Sequence, residues 1–212
     1  MLLQTVMDVK AKPINTIAGR GGIVTFRRNI RASVRGLWNG ALRKAQALRV
    51  FRNTIEQAID QAWIEGAAEC GIQEDELTVE ELTARDEFIF EQNDFATGFI
   101  NDIAAQSKTN GGQLTPLLQR GEMWVNQYSS AKQQAEAMAC ADEKREWVLG
   151  RTEHCRTCLA LDGQVRRLSF WQNSVLPRNA PNPKLQCQGF NCQCTLKKTD
   201  KPLSRGRLPR LL

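Results

Sequence analysis

Five cysteines lie in the last third of the chain at spacings suited to holding a metal. They are Cys155 and Cys158 in E-H-C-R-T-C, then Cys187, Cys192 and Cys194 in L-Q-C-Q-G-F-N-C-Q-C. The pattern is C-x2-C, a gap of 28 residues, then C-x4-C-x-C. Two close groups joined by a loop form the usual frame of a four-sulfur zinc site. The first pair fits on one tight turn, and the second group comes from another turn or a strand end. Cys155, Cys158 and Cys187 are the first three ligands of such a site, and Cys192 and Cys194 compete for the fourth place. Residues two apart on a strand share a face, so both can point toward the metal. His154, the single histidine, adjoins the site as a neighbour. A shell of four sulfurs is closed and structural rather than catalytic. Its binding energy acts as folding energy, on the order of 10 kcal/mol in small zinc modules.

Disulfides are the alternative use of these thiols, as two bridges and one free cysteine. They belong to oxidising surroundings. The N-terminus does not read as a secretory signal, so the expectation is synthesis in a reducing cytoplasm. A thioredoxin-like C-x-x-C would need a βαβ unit around it, and none is legible. Cys70 and Cys140 read as small buried side chains.

The elements that position this cluster are mostly helical. The segment 1–28 lacks steady periodicity; Pro13 and the run Ala18-Gly19-Arg20-Gly21-Gly22 predict an extended arm. From Asn29 the pattern turns helical, with Ile30, Val34, Leu37 and Trp38 on one stripe and a turn near Gly40. A longer helix is predicted over about 41–69, with Val50, Ile55, Ala58, Ile59, Ala62 and Trp63 on its apolar face and Gly71 as its stop. Thr78-Val79-Glu80-Glu81 has the form of a capping box, so another helix follows to about Ser107. Its stripe is Phe88, Phe95, Phe99 and Ile103. A third long helix begins at Thr115-Pro116, with threonine as cap and proline at the first helical position. Three long amphipathic helices bury their stripes only by packing together, which predicts a bundle over 29–148.

The character then changes. The stretch 149–199 holds the cysteines, a predicted strand–turn–strand over Leu159–Val165 with Asp162-Gly163 at the turn, and a proline-rich loop from Pro177 to Pro183. A unit this small and loop-rich needs a staple. A basic tail, 200–212, completes the chain. The fold class is mainly α, with an N-terminal helical bundle and a small loop- and hairpin-rich, zinc-stapled C-terminal domain (α+β).

The net charge of +6 conceals bands. Residues 1–60 carry eleven Lys/Arg against three Asp/Glu, residues 61–150 six against seventeen, and residues 151–212 twelve against three. Basic ends around an acidic middle suit a protein made for assembly. Arg27, Arg28, Arg31, Lys197, Lys198, Arg205, Arg207 and Arg210 are the weak candidates for contacts to nucleic-acid phosphates. No apolar run approaches a membrane span, so no membrane partner is expected. Phosphate-loop and H-E-x-x-H signatures are absent from the sequence, and no catalytic residue is assigned.

The run W-V-L-G-x-T-E-x-C-x-x-C-x-x-L-x-G-x-V, followed by a proline-rich segment and C-x-C-x-L, resembles the C-terminal domain of phage head morphogenesis proteins of the phage Mu F type. These are also called minor head or minor capsid proteins. The matching residues are Trp147, Cys155, Cys158, Leu161, Gly163, Val165, Pro181, Pro183, Cys187, Cys192, Cys194 and Leu196. Q-A-W-I-E-G-A at Gln61–Ala67 is similar to the helical part of such proteins. The family commonly places a histidine-proline pair before a final C-R-C. Here Asn182-Pro183 and Cys187 stand in that region, and Gln193 replaces the arginine. The resemblance implies a structural, non-enzymatic protein of a tailed bacteriophage, located in the virion at or near the portal vertex. Its implied partners are the portal protein, the major capsid protein and packaged DNA, in an oligomeric assembly. The alternative reading is a nucleic-acid-binding zinc-module regulator with a helical oligomerisation domain. Against it, the loop between the cysteine groups is proline-rich and holds no recognition helix.

Overall fold

The computed structural model describes residues 21–208 apart from 152, 179, 180 and 191. Four long helices come first: α1 (Gly21–Trp38), α2 (Lys44–Ala68), α3 (Val79–Ala105) and α4 (Leu114–Ala139). Then follow β1 (Lys144–Val148), α5 (Arg156–Leu161), β2 (Val165–Arg167), α6 (Leu168–Ser174) and β3 (Thr195–Lys198). The three strands form one antiparallel sheet in the order β2-β1-β3. The protein is therefore mainly helical with a small sheet near its C-terminal end, as the sequence predicts.

The helix ends show which local signals governed. At α3 the capping box forms: Thr78 Oγ1 accepts from Glu81 N at 3.2 Å, and Glu81 Oε2 accepts from Thr78 N at 2.9 Å. Gly71, at φ +80°, closes the chain after α2. α4 starts two residues earlier than expected, at Leu114 rather than Pro116, with Gln113 rather than Thr115 as its cap residue. Proline is tolerated there because N–H groups of the first turn have no intrahelical acceptor anyway. The expected extended arm over 1–28 is corrected at its end, because residues 21–28 belong to α1; the rest of that arm lies outside the described residues.

One core joins the long helices. Ile30 and Val34 from α1, Phe51, Ile55, Ile59 and Trp63 from α2, Phe99, Ile100 and Ile103 from α3, and Leu117 from α4 are all buried. The Trp124 ring stacks on Phe99 at 4.8 Å between centroids and meets Phe51 edge-on at 5.2 Å. Such aromatic geometry adds to the area term. α2 and α4 approach closely at Gly66, where a Cβ would collide with the Lys132 carbonyl and stand 2.8 Å from Ala135 Cβ.

Two expected core residues are not in it. Val50 is 43 % exposed and Phe95 is 56 % exposed. The buried arc of α3 centres on Ala96, Phe99, Ile100 and Ile103, so Phe95 falls at its margin and borders an open groove of about 820 Å³ between α3 and α4.

A second core begins at the end of α4. Ala137 and Cys140 pack with Trp147, Leu161, Leu168, Trp171, Val175, Leu176 and Leu185. Trp147 lies on β1, so the strand at 144–148, grouped by sequence with the helical part, is the central strand of the C-terminal sheet. The expected strand over Leu159–Leu161 is instead the end of α5, and β2 pairs with β1 rather than with that segment. Arg145, 8 % exposed, joins the two cores by ion pairs to Glu136 at 2.7 Å and Glu143 at 2.9 Å. Cys70, just beyond α2, and Cys140, just beyond α4, form a disulfide with Cα atoms 5.7 Å apart, in place of the inert thiols expected from their sequence context. No helix among the described residues is long and apolar enough to cross a membrane.

Candidate metal centre

Cys155 caps the N-terminus of α5, and its Sγ accepts from Cys158 N at 3.5 Å. A single turn of helix thereby carries the C-x2-C pair with its sulfurs 3.5 Å apart. Sulfur at a helix N-terminus also meets free N–H groups, which favour the thiolate. The second group arrives along the loop before β3, with Cys194 next to the first strand residue, Thr195.

Hydrogen bonds join the two groups. Gln186, adjacent to Cys187, accepts from Arg156 N at 2.9 Å through Oε1, and its own N–H donates to Thr157 Oγ1 at 3.1 Å. Buried Asn182 ties back to the end of α6, donating to the Val175 carbonyl at 2.8 Å, and accepts from Lys184 N at 2.9 Å. Gly150 lies against the backbone of Gln193, between Cys192 and Cys194. Arg178 donates to the Cys194 carbonyl and, at 3.2 Å, to Gln133 Oε1 on α4.

All five cysteines converge. Sγ atoms of Cys155, Cys158 and Cys187 lie within 4.8 Å of one another, and so do those of Cys158, Cys192 and Cys194. Cys158 and Cys192 are 3.9 Å apart. A tetrahedral zinc with bonds of ~2.3 Å would place its sulfurs ~3.8 Å apart, so the donor spacing suits a metal. None of the five is in a disulfide. His154, expected only as a neighbour, brings Nδ1 to 3.7 Å from Cys194 Sγ. Its side chain and the five thiols line one cavity of about 190 Å³ with Glu153 and Phe190.

The thiols are not equivalent. Cys192 is lowered to about 5 because the Cys158 thiol donates to it, which outweighs its burial. Cys158 is raised by that same hydrogen bond and by burial. Burial pushes Cys187 up to about 11, and it also raises Cys194. At Cys155 burial acts upward, but N–H groups of Cys158 and Cys187 hold the thiol below its ordinary value. Thiolates bind metals and thiols do not, so loading releases protons and weakens as pH falls.

The basic candidates do not gather in the same way. Arg27 and Arg31 both pair with Glu122 on α4, at 2.9 and 3.4 Å, and Lys198 pairs with Glu143. Arg28, Lys197, Arg205 and Arg207 are exposed, and Arg210 lies outside the described residues. Sequence reasoning missed Arg178, since a single arginine in a proline-rich loop carries no spacing signal. Comparison of the chain with protein-family models, with curated proteins and with solved structures finds no match.

Proposed function

We propose that this chain is a structural minor head protein of a tailed bacteriophage, acting in head morphogenesis at or near the portal vertex, and that its cysteine cluster holds structural zinc. The observation that carries the reading is where the resembling residues stand. Trp147, Leu161 and Val165 are buried in the C-terminal unit, and Cys155, Cys158, Cys187, Cys192 and Cys194 meet beside them. A motif spread over fifty residues that packs as one small unit supports reading it as a module. Zinc is the metal of choice because thiolate-rich four-ligand shells are structural zinc shells. All coordination positions taken by protein atoms leave no open site for a substrate, so the reading assigns no enzymatic role.

The implied partners are the portal protein and the major capsid protein, with packaged DNA as a further contact of the exposed basic residues. Co-expression with tailed-phage portal and major capsid proteins tests this. Stable recovery with the portal protein supports the vertex role. Binding to neither, together with preference for one DNA sequence at physiological salt, would replace it with the zinc-module regulator. Metal analysis tests the cofactor: zinc in purified protein is expected, and metal-free protein with oxidised cysteines would refute it.

A further inference from the structure

We propose that the cysteine cluster holds two metal ions that share the Cys158 and Cys192 thiolates as bridges. This rests on the reading of the cluster as a zinc site and extends it to a second ion. Five thiols and one imidazole converge here, more donors than one tetrahedral zinc can use. In a single four-sulfur shell every sulfur pair would stand ~3.8 Å apart. The sulfurs instead fall into two trios, Cys155/Cys158/Cys187 and Cys158/Cys192/Cys194, with Cys158 common to both. The second trio carries the histidine, whose Nδ1 is 3.7 Å from Cys194 Sγ.

The pair Cys158 and Cys192, 3.9 Å apart, forms the edge between the trios. Sharing it gives each ion four donors. One ion would take the first trio and add Cys192, which stands 3.9 Å from Cys158 though outside that trio's 4.8 Å grouping, to make four sulfurs. The other would take the second trio and add His154, whose Nδ1 is 3.7 Å from Cys194 Sγ, to make three sulfurs and one nitrogen. No donor is left over, which accounts for the fifth cysteine and for the histidine together. Charge points the same way. Five thiolates and two divalent ions leave one net negative charge, and half-buried Arg178, held on the Cys194 carbonyl, lies beside them to offset it. One ion would leave a doubly negative shell and an idle thiol in the same pocket.

Native mass spectrometry of the full chain, expressed with zinc and exchanged into volatile buffer, counts the ions. Two zinc ions per chain are expected, with one lost in His154→Ala and in Cys194→Ser. Exchange with cadmium-113 should give two resonances, one for a four-sulfur and one for a three-sulfur, one-nitrogen shell, and His154→Ala should remove or shift mainly the latter. One zinc in the unaltered chain, unaffected by His154→Ala, would overturn the second ion and leave the single-zinc reading in place. No bound metal would overturn both.

Discussion

Gly150→Ala should impair metal binding without touching a ligand. A Cβ at position 150 would stand 2.5 Å from both Cβ and the carbonyl oxygen of Gln193, against 3.4–4 Å for ordinary contact. Relief therefore requires a shift of ~0.9 Å. Gln193 lies between Cys192 and Cys194, so the shift moves the second cysteine group relative to the turn that carries Cys155 and Cys158. Metal–ligand distances tolerate only about ±0.2 Å. Overpacking of this kind costs ~1–3 kcal/mol, and the disturbed supporting contacts should weaken zinc by ~10–100-fold. Competition with a chromophoric chelator at fixed pH measures the affinity directly. Gly98→Ala is the control, because a Cβ there meets no atom within 4 Å. Zinc affinity of Gly150→Ala within about twofold of the unaltered chain would refute the claim that backbone packing at Gly150 sets the register of the two groups.

Gly98→Ala should itself stabilise the protein by about 0.5–1 kcal/mol, since it replaces glycine inside α3 with the best helix former; a lowered urea midpoint would contradict this. Replacing both Cys70 and Cys140 by serine removes a cross-link between positions 70 residues apart and should lower stability by up to ~4 kcal/mol without reductant; an unchanged midpoint would show that the bridge contributes nothing. Tyr128→Phe removes the hydrogen bond donated to Glu65 Oε1 at 2.8 Å and should cost ~1 kcal/mol at neutral pH. Burial, and then the hydrogen bond and charge of Glu65, raise the Tyr128 phenol above its ordinary value. Its contribution is therefore complete below pH ~10 and is lost as pH climbs through the raised value. The phenylalanine variant should lack that alkaline decline, which paired urea midpoints at neutral and high pH would reveal.

The parts of the fold legible in sequence are those where one local signal was enough. The Thr78 capping box marks the start of α3 because its two hydrogen bonds close within four residues. The cysteine cluster was legible for a similar reason: Cys155 and Cys158 share one turn, and only the meeting of two groups had to be inferred. What was missed depends on distant partners. Gly21-Gly22 read as a flexible stretch, yet both lie in α1, where Gly22 packs closely beneath Tyr128 of α4. Tertiary packing there overrides the poor helix propensity of glycine. α5 and α6 have six and seven residues, too short for an apolar period to register. Nor does the sequence show that Cys70 and Cys140 follow helices whose ends meet.

The sulfurs are part of what they hold together, and this fixes how the protein should fail. Cys158 and Cys194 are buried in the second core with Trp147 and Trp171, and Cys155, Cys187 and Cys192 pack against it. The unit around them has strands of five, three and four residues and two short helices, too little apolar surface to stand without a cross-link. The helical core has four long helices and needs no metal. Cys155→Ser or Cys187→Ser should therefore open the C-terminal unit to protease while leaving most helical circular dichroism intact. The last turn of α4 is the expected limit of the damage, because the Cys70–Cys140 bridge anchors it to the end of α2. A protease-resistant C-terminal unit in either variant, with no zinc left bound, would show that Trp147 and Trp171 suffice without metal, and loss of most helix signal would show that the two cores fold as one.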